Sequence, residues 1–238
     1  MKMLLFFFIY IYSWVNVAPL QIVDCNIQMH VMRIENTSDL TIYYPQYSTI
    51  DLACGKMPDK NNESILFCCG ASFTGELLKE FKHSNIAGNH VSGGVLYKGF
   101  KCRPNTGGFV YYDDQWKFSL QSYNEDLKVS AKNKGMGFAQ NMIIYNGVTQ
   151  PSFRKLQSRF QYRALCEYKG KLCIIDSKRV VSYADFISFL EKLGVTHALY
   201  LDMGRGWNHS WYRKNDGDVI EIHPKTHNFA TNWIIFKK

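Results

Sequence analysis

The chain has 238 residues, of which 46% are hydrophobic and 15% aromatic, and this composition excludes a disordered polypeptide. The 28 Lys and Arg residues outnumber the 20 Asp and Glu residues and give a formal net charge of +8, but nowhere do five basic residues follow one another. A scattered basic surface does not favour nucleic-acid binding, although it is compatible with a basic cleft for an anionic substrate. We therefore expect a folded protein with no nucleic acid among its partners.

The first residues are typical of a secretory signal peptide. One lysine, Lys2, precedes an apolar stretch from Met3 to Val17, and small residues follow near Ala18. The stretch is short for a membrane span, so we expect residues 1–18 to be removed and no membrane span to remain. The protein is then predicted to be exported, to the periplasm or the extracellular space. A retained membrane anchor is the alternative.

The chain contains seven cysteines, and export would permit disulfides among them. Several stand in apolar, strand-like stretches, where a cysteine is usually a small buried hydrophobic residue. No two cysteines are spaced as C-x-x-C and no H-E-x-x-H sequence occurs, so we expect neither a metal site nor a cofactor. We expect one or two disulfides at most, and their pairing stays open.

Short strand-like segments dominate the chain. In order they are residues 26–34, 40–44, 64–69, 92–99, 107–118, 140–147, 162–176, 218–223 and 232–236. The most distinct is a hairpin of Arg163–Tyr168 and Lys171–Asp176. It is predicted because the connecting Lys169-Gly170 places a glycine where a tight turn needs a positive φ.

Two segments have helical periodicity. Thr74–His83 has a possible N-cap at Thr74 and apolar residues on one side. Ser182–Gly194 has a serine N-cap, an apolar stripe and a terminating glycine, and a continuously apolar strand follows it. We therefore predict a single α+β domain over residues 26–238, with mixed, mainly antiparallel sheets, a few helices and one βαβ-like unit.

Asp202 is the first candidate site residue, because it stands at the carboxyl end of that apolar strand, where ligands often bind. Gly204 and Gly206 follow it and allow the backbone to approach an anion closely. Arg205 between them is suited to bind a phosphate, and His209 adds a hydrogen-bond donor. A turn or capping aspartate is the alternative interpretation of Asp202.

Two further groups of polar residues are candidates. Glu76, His83 and His90 lie in a glycine-rich segment that we interpret as a polar loop facing a cleft. Arg163 and Glu167 lie four residues apart on one predicted strand and therefore on the same face. A structural ion pair between the two is one interpretation, and an anion-binding role for Arg163 is the other.

Six blocks of the sequence, taken in order, resemble the phosphodiester glycosidase domain family, most closely its bacterial, Bacteroides-type subgroup. The blocks are residues 65–75, 90–99, 137–147, 162–176, 182–206 and 229–236. Arg163 corresponds to the arginine of the family's Arg-Thr-Ala hairpin, and Asp202 to the aspartate of its Asn-Leu-Asp-Gly-Gly-Gly-Ser loop. These two matches are the most diagnostic part of the resemblance.

The resemblance implies hydrolysis of a sugar–phosphate diester at its glycosidic bond, with a carbohydrate or sugar-phosphate substrate as partner. Asp202 would be the nucleophile or base, and Glu76 or Glu167 the second carboxylate. The residues expected to bind the phosphate or to orient the sugar are Arg163, Arg205, His83, His90, Asn141, Gly204, Gly206 and His209. The oligomeric state stays open.

The sequence departs from the family's pattern at residues expected to line the site. Tyr200 replaces the usual asparagine, Arg205 replaces a glycine, and Gln140-Asn141 replaces a Gly-Pro pair. These changes indicate a site of similar shape for a different substrate. A glycan-binding protein without activity, another glycosidase or esterase, and a structural envelope protein are the alternatives.

Overall fold

The structure is a computed structural model that describes residues 31–76, 78–102, 106–152, 154–224 and 229–238. The predicted signal peptide lies outside these residues. The strands of the first half are β1 (Met32–Asn36), β2 (Leu40–Pro45), β3 (Thr49–Cys54), β4 (Ile65–Gly70), β5 (His90–Ser92), β6 (Val95–Tyr97), β7 (Thr106–Tyr112), β8 (Gln115–Ser119) and β9 (Met136–Tyr145). The strands of the second half are β10 (Val148–Thr149), β11 (Arg159–Phe160), β12 (Arg163–Tyr168), β13 (Lys171–Ser177), β14 (Val181–Ser182), β15 (His197–Tyr200), β16 (Ser210–Arg213), β17 (Val219–Ile222) and β18 (Asn232–Lys237). The helices are α1 (Tyr123–Lys132) and α2 (Tyr183–Leu193).

An eleven-stranded sheet and a five-stranded sheet contain all of these strands except β11 and β14, which pair with each other. The path through the large sheet is β1-β2-β13-β12-β15-β9-β5-β6, with β7 and β10 also paired to β9 and β8 paired to β7. The small sheet has the order β17-β16-β4-β18-β3. All of these strand pairs are antiparallel.

The large sheet is covered on both faces. One core layer lies between the two sheets, where Leu165 and Leu199 of the large sheet pack in one cluster with Phe67 and Phe236 of the small sheet. A second layer lies on the opposite face, where α2 packs through residues such as Phe186. Central strands are therefore apolar on both sides, as expected for strands buried on two faces.

The predicted α+β class is wrong, because only α1 and α2 accompany the sheets in the described residues and the fold is rich in antiparallel strands. The predicted βαβ-like unit is not a pair of adjacent parallel strands either. The helix α2 joins β13 to β15, and both strands pair antiparallel with β12, which lies between them. The apolar character of β15 comes from its two buried faces, since Leu199 faces the small sheet and Ala198 packs in the cluster of α2.

Two local predictions are confirmed. The side chain of Ser182 accepts a hydrogen bond from the Asp185 amide and the Asp185 carboxylate accepts one from the Ser182 amide, while Gly194 ends α2 at a φ of 81°. This arrangement is a capping box with a left-handed C-terminal residue. In the hairpin of β12 and β13, Lys169 and Gly170 both have positive φ, 52° and 67°, as a type I′ turn requires.

The helix predicted over Thr74–His83 is absent from the described part of that range. The Gly75 amide donates to the Asn85 carbonyl (2.9 Å) and Asn85 Nδ2 donates to the Glu76 carbonyl (2.6 Å), which closes the segment into a loop. A Cβ on residue 75 would lie 2.5 Å from Asn85 Oδ1, so a larger residue there would displace the Asn85 side chain. The helix α1, in contrast, was not predicted, because Leu127 is its only fully buried hydrophobic residue.

The cysteines in apolar strands are buried, as predicted, and the six described cysteines are all free thiols. These are Cys54, Cys68, Cys69, Cys102, Cys166 and Cys173. Cys25 lies outside the described residues. No helix in the described part of the chain is both long enough and apolar enough to cross a membrane.

Candidate active site

Asp202 lies where the large sheet meets the small one. It follows β15, and its amide donates to the carbonyl of Ala71, which follows β4 in the small sheet (3.1 Å). Its carboxylate accepts a hydrogen bond from the Gly204 amide (Oδ1 to N, 3.0 Å). A Cβ on Gly70 would lie 3.0 Å from the carbonyl oxygen of Trp207, so a glycine at position 70 lets this loop approach β4. The two sheets together therefore determine the position of Asp202.

The Asp202 side chain is nearly removed from solvent, with 7% of the residue exposed. Burial raises the pKa of its carboxyl group from the usual 3.8 to about 6, because the charged form loses hydration. The Gly204 amide and the positive charge of Arg154 oppose this shift without cancelling it. A carboxyl group that titrates near neutral pH is suited to proton transfer or to nucleophilic attack.

A cavity of about 610 Å³, a volume typical of small-ligand sites, is lined in part by Arg154, whose charge acts on Asp202, but Asp202 itself is not among the described residues of the lining. Its lining includes Phe73, which follows β4, and Gln140 and Asn141 of β9. The carbonyl of Ala71 that accepts from the Asp202 amide also accepts a hydrogen bond from Gln140 Nε2 (3.3 Å). One carbonyl thus connects the Asp202 backbone to a side chain of the cavity.

The same cavity is cationic. Lys101, Arg154 and Lys155 contribute to its lining, and no carboxylate does so among the described residues. Arg154 Nη2 donates to the Tyr200 hydroxyl (3.4 Å), and its guanidinium lies over the Tyr200 ring, 5.0 Å from the centroid. A positive, partly enclosed site of this kind favours an anionic group such as a phosphate.

Asn141 provides a second polar feature of the cavity. Its Nδ2 donates to the Tyr183 hydroxyl (3.1 Å), whereas its Oδ1 is buried and has no hydrogen-bond partner among the described residues. A buried acceptor without a donor costs free energy. Asn141 lines the cavity, and its predicted role in orienting a substrate stays a prediction.

The remaining predicted residues of the Asp202 loop have different positions. The Gly204 amide contacts the Asp202 carboxylate as described. Gly206 has a φ of 90°, and a Cβ on this residue would lie 2.5 Å from the Phe229 ring. Arg205 is exposed to solvent. His209 Nε2 lies 3.1 Å from Glu221 Oε2 at the β16–β17 pair.

Arg163 and Glu167 do not pair with each other. Arg163 is fully buried and binds Asp176 through two hydrogen bonds (Nε to Oδ1, 2.6 Å; Nη2 to Oδ2, 2.5 Å), and its Nη1 donates to Ser210 (2.7 Å). Glu167 instead binds His197 (2.7 Å). The expected Arg163–Glu167 ion pair is therefore wrong, because the hairpin register places Asp176 directly opposite Arg163.

Glu76, His83 and His90 lie outside the lining of the main cavity. Glu76 lines a second cavity of about 880 Å³, which shares Thr74 with the first. His83 Nδ1 lies 2.9 Å from His90 Nε2, and His90 is fully buried. The structure thus groups the two histidines with each other. Their predicted roles in substrate binding stay predictions.

Sequence reasoning missed the cationic residues of the cavity. Arg154 and Lys155 follow Pro151 in an aperiodic stretch, where the only signal is two adjacent basic residues. Lys101 follows the glycine-rich block with no signal of its own. Gln140 was noted only as a departure from the family's Gly-Pro pair, although a polar side chain inside an otherwise apolar strand is a reason to expect a site.

One solved structure has a related fold. The catalytic domain of zebrafish N-acetylglucosamine-1-phosphodiester alpha-N-acetylglucosaminidase, in a form auto-inhibited by its pro-peptide, superposes with a TM-score of 0.58 and is 13% identical over 88% of this chain and 83% of that one. The two proteins share a fold. No protein-family model matches this sequence, and no curated protein matches it significantly. The likeness therefore supports a distant fold relationship and gives no support to the bacterial subgroup.

Proposed function

We propose that the protein is a glycoside hydrolase that cleaves a sugar–phosphate diester at the glycosidic bond, releasing a sugar and a phosphomonoester. The observation that carries this proposal is a buried carboxylate, Asp202, which shares the Ala71 carbonyl with Gln140 and is influenced by the charge of Arg154, two residues of a ligand-sized cavity that is lined by three cations. The shared fold with a phosphodiester glycosidase catalytic domain supports the same chemistry. In this proposal Arg154 and the two lysines bind the phosphate, and Asn141 binds a sugar hydroxyl.

A single carboxylate is sufficient for this reaction. Glycosidases commonly use a second carboxyl group to protonate a poor leaving group. A phosphate leaving group is stabilised by cations instead, since it departs as an anion. Asp202 in its ionised form then acts as the nucleophile or as the base that activates water.

The direct test offers the purified protein a panel of sugar 1-phosphodiesters, beginning with an N-acetylglucosamine 1-phosphodiester, and measures free sugar together with the phosphomonoester. Release of both in equal amounts is the expected result. Release of reducing ends from a glycan that lacks phosphate would indicate another glycosidase. We also propose export of the chain, which N-terminal sequencing of the mature protein would check.

A glycan-binding protein without activity is the second candidate. It is favoured by the small exposed fraction of Asp202, 7%, and by the lack of a carboxylate in the described lining of the cavity. Binding of a sugar phosphodiester without turnover at any pH between 4 and 9 would support this candidate. Calorimetric titration beside the activity assay distinguishes the two.

The activity is expected to rise with pH through about 6. Asp202 has a pKa of about 6 in the folded protein, and only its ionised form can attack or act as a base. A profile of kcat/KM against pH, which reports the free enzyme, should therefore lose activity below about pH 6. An acidic limb near pH 4, the ordinary value for a carboxyl group, would assign the titration to another residue.

Replacement of Arg154 with methionine is expected to lower kcat/KM for a sugar phosphodiester by about 10- to 100-fold, because the phosphate would lose a hydrogen bond between charged groups. Because Arg154 also lowers the pKa of Asp202, the acidic limb of the profile should move to higher pH. The matched control is Arg179→Met, which removes an exposed arginine paired with Asp39. Equal rates for Arg154→Met and the control would remove Arg154 from the phosphate site.

A further inference from the structure

A second site is formed by three side chains from separate parts of the chain. Cys54 is the last residue of β3, His83 lies in a 3₁₀ turn (His83–Asn85), and His90 begins β5. One potential ligand atom from each lies within 4.8 Å of the other two. The sequence does not reveal this group, because the cysteine and the histidines share no short motif and meet only in the fold.

The two histidine nitrogens are spaced nearly as in a zinc site, and the Cys54 sulfur lies within 4.8 Å of both. With Zn–S of about 2.3 Å and Zn–N of about 2.0–2.1 Å, the edges of a tetrahedron are about 3.3–3.6 Å long. To admit the ion, the 2.9 Å between His83 Nδ1 and His90 Nε2 must increase by a few tenths of an ångström, and the rings must turn so that both lone pairs point at the ion. Both rings already present these nitrogens to one another.

Neighbouring groups orient both rings. His90 Nδ1 lies 3.3 Å from the carbonyl of Gly88, which can only accept a hydrogen bond, so the Nδ1 hydrogen is directed there and Nε2 keeps its lone pair. The His83 ring is stacked on Tyr97 with 3.5 Å between centroids and 3° between planes. Histidines that bind metals usually donate their other ring N–H to an acceptor that sets their tautomer, as His90 does to Gly88, whereas the stacking on Tyr97 orients only the plane of the His83 ring.

We propose that Cys54, His83 and His90 bind one Zn²⁺ ion. A thiolate with two imidazoles excludes Mg²⁺ and Ca²⁺, which prefer oxygen ligands, and is a common donor set for Zn²⁺. Binding releases the thiol proton of Cys54 to solvent. The hydrogen that His83 Nδ1 shares with His90 moves, by exchange with water, to His83 Nε2, so that Nδ1 and His90 Nε2 both bind the ion.

The fourth position would hold a water molecule. Cys54 lines the second cavity, so the ion lies at its wall and is accessible to solvent from it. The ion would also fix the loop between Thr74 and Ile86, because His83 is in this loop while Cys54 and His90 are in strands. The loop exposes Leu78 and Phe81. This inference is independent of the proposed function.

The test is a titration of the full chain, freed of metal by a chelator, with Co²⁺ and then Zn²⁺. We expect one Co²⁺ per chain, with a thiolate-to-cobalt charge-transfer band and the intense visible bands of a four-coordinate site, and displacement by one Zn²⁺. Cys54→Ser should abolish the charge-transfer band. His83→Gln should weaken the affinity for Co²⁺ by more than about 10- to 100-fold, which is the usual effect of removing a residue that only hydrogen-bonds to a metal ligand.

Two matched variants serve as controls. Cys102→Ser removes another half-buried free thiol, and His209→Gln removes another partly buried histidine, and both should retain the band and the affinity. Zn²⁺ should raise the melting temperature of the wild type and of both controls, but not that of Cys54→Ser. Absence of the charge-transfer band in the wild type, its persistence in Cys54→Ser, or unchanged affinity in His83→Gln would each overturn the proposal.

Discussion

Replacement of Asp202 with asparagine is expected to reduce kcat by at least about 10²-fold, because an amide can neither attack the sugar nor accept a proton at neutral pH. The fold should be retained, since an asparagine oxygen can still accept the hydrogen bond from the Gly204 amide. Initial rates with a sugar phosphodiester under saturation, compared with substrate affinity from calorimetry, separate a loss of chemistry from a loss of binding. The affinity should change little.

The stability of the same variant gives an independent readout. In the wild type the pKa of Asp202 rises from 3.8 to about 6 on folding, so between these pH values the folded chain binds a proton that the unfolded chain has lost. The contribution of this group to stability therefore falls as the pH rises from about 4 to 6. Asp202→Asn has no charge to bury and should unfold at equal or higher denaturant concentration than the wild type at pH 7.

Asp218→Asn is the matched control, because it changes an exposed aspartate that pairs with Lys214 on the surface. Its kcat should equal that of the wild type. Undiminished turnover by Asp202→Asn would remove Asp202 from the mechanism and would indicate another catalytic residue. Measurable binding without turnover by the wild type would instead support the glycan-binding candidate. Loss of activity accompanied by unfolding would instead assign Asp202 a structural role.

Replacement of Asp176 with asparagine is expected to lower the free energy of unfolding by about 3–5 kcal/mol, the typical cost of breaking a buried ion pair. Arg163 is fully buried, and without Asp176 its positive charge would have no counter-charge in direct contact. The carbonyl of Arg163 also accepts a hydrogen bond from the Leu201 amide, directly before Asp202. Urea denaturation measures the effect, and reduced activity should accompany it.

Two further variants test whether loss of the buried ion pair causes this destabilisation. Asp39→Asn breaks the exposed ion pair with Arg179 and should change stability little, since surface pairs contribute little. The double variant Arg163→Met/Asp176→Leu removes both charges and should be more stable than Asp176→Asn alone, because no buried charge is left uncompensated. A double variant as unstable as Asp176→Asn would show that the packing and the Ser210 hydrogen bond matter more than the charge.

Features that depend on neighbouring residues could be predicted from the sequence. The capping box of Ser182 and Asp185, the end of α2 at Gly194 and the Lys169-Gly170 turn all follow from local rules. The pairing of Arg163 with Asp176 could also have been predicted from the sequence. A two-residue turn at positions 169 and 170 fixes the register of the hairpin, and that register places residue 176 opposite residue 163.

Features that depend on distant segments could not be predicted. The segment after Thr74 has the apolar spacing of a helix, yet a hydrogen bond from Gly75 to Asn85 and one from Asn85 to Glu76 close it into a loop. The class prediction was wrong because strands outweigh the two helices α1 and α2 in the described residues. The apolar strand after α2 was interpreted as half of a βαβ-like unit, whereas it is an antiparallel strand covered by the small sheet and by α2. The position of Asp202 at a strand end was correct, but the lining of the cationic cavity combines five segments of the chain.

The place of β18 in the small sheet has a consequence for how the chain folds. It pairs with both β3 and β4, and Lys237 on β18 contacts Asp51 on β3 across 186 residues. Until β18 is in place, β3 lacks its partner in that sheet, and β4 has only β16 beside it. Such long-range pairing is slow and leaves strand edges open to association with other chains. The Ala71 carbonyl that positions Asp202 directly follows β4, so the arrangement around Asp202 would be among the last that a newly made chain forms.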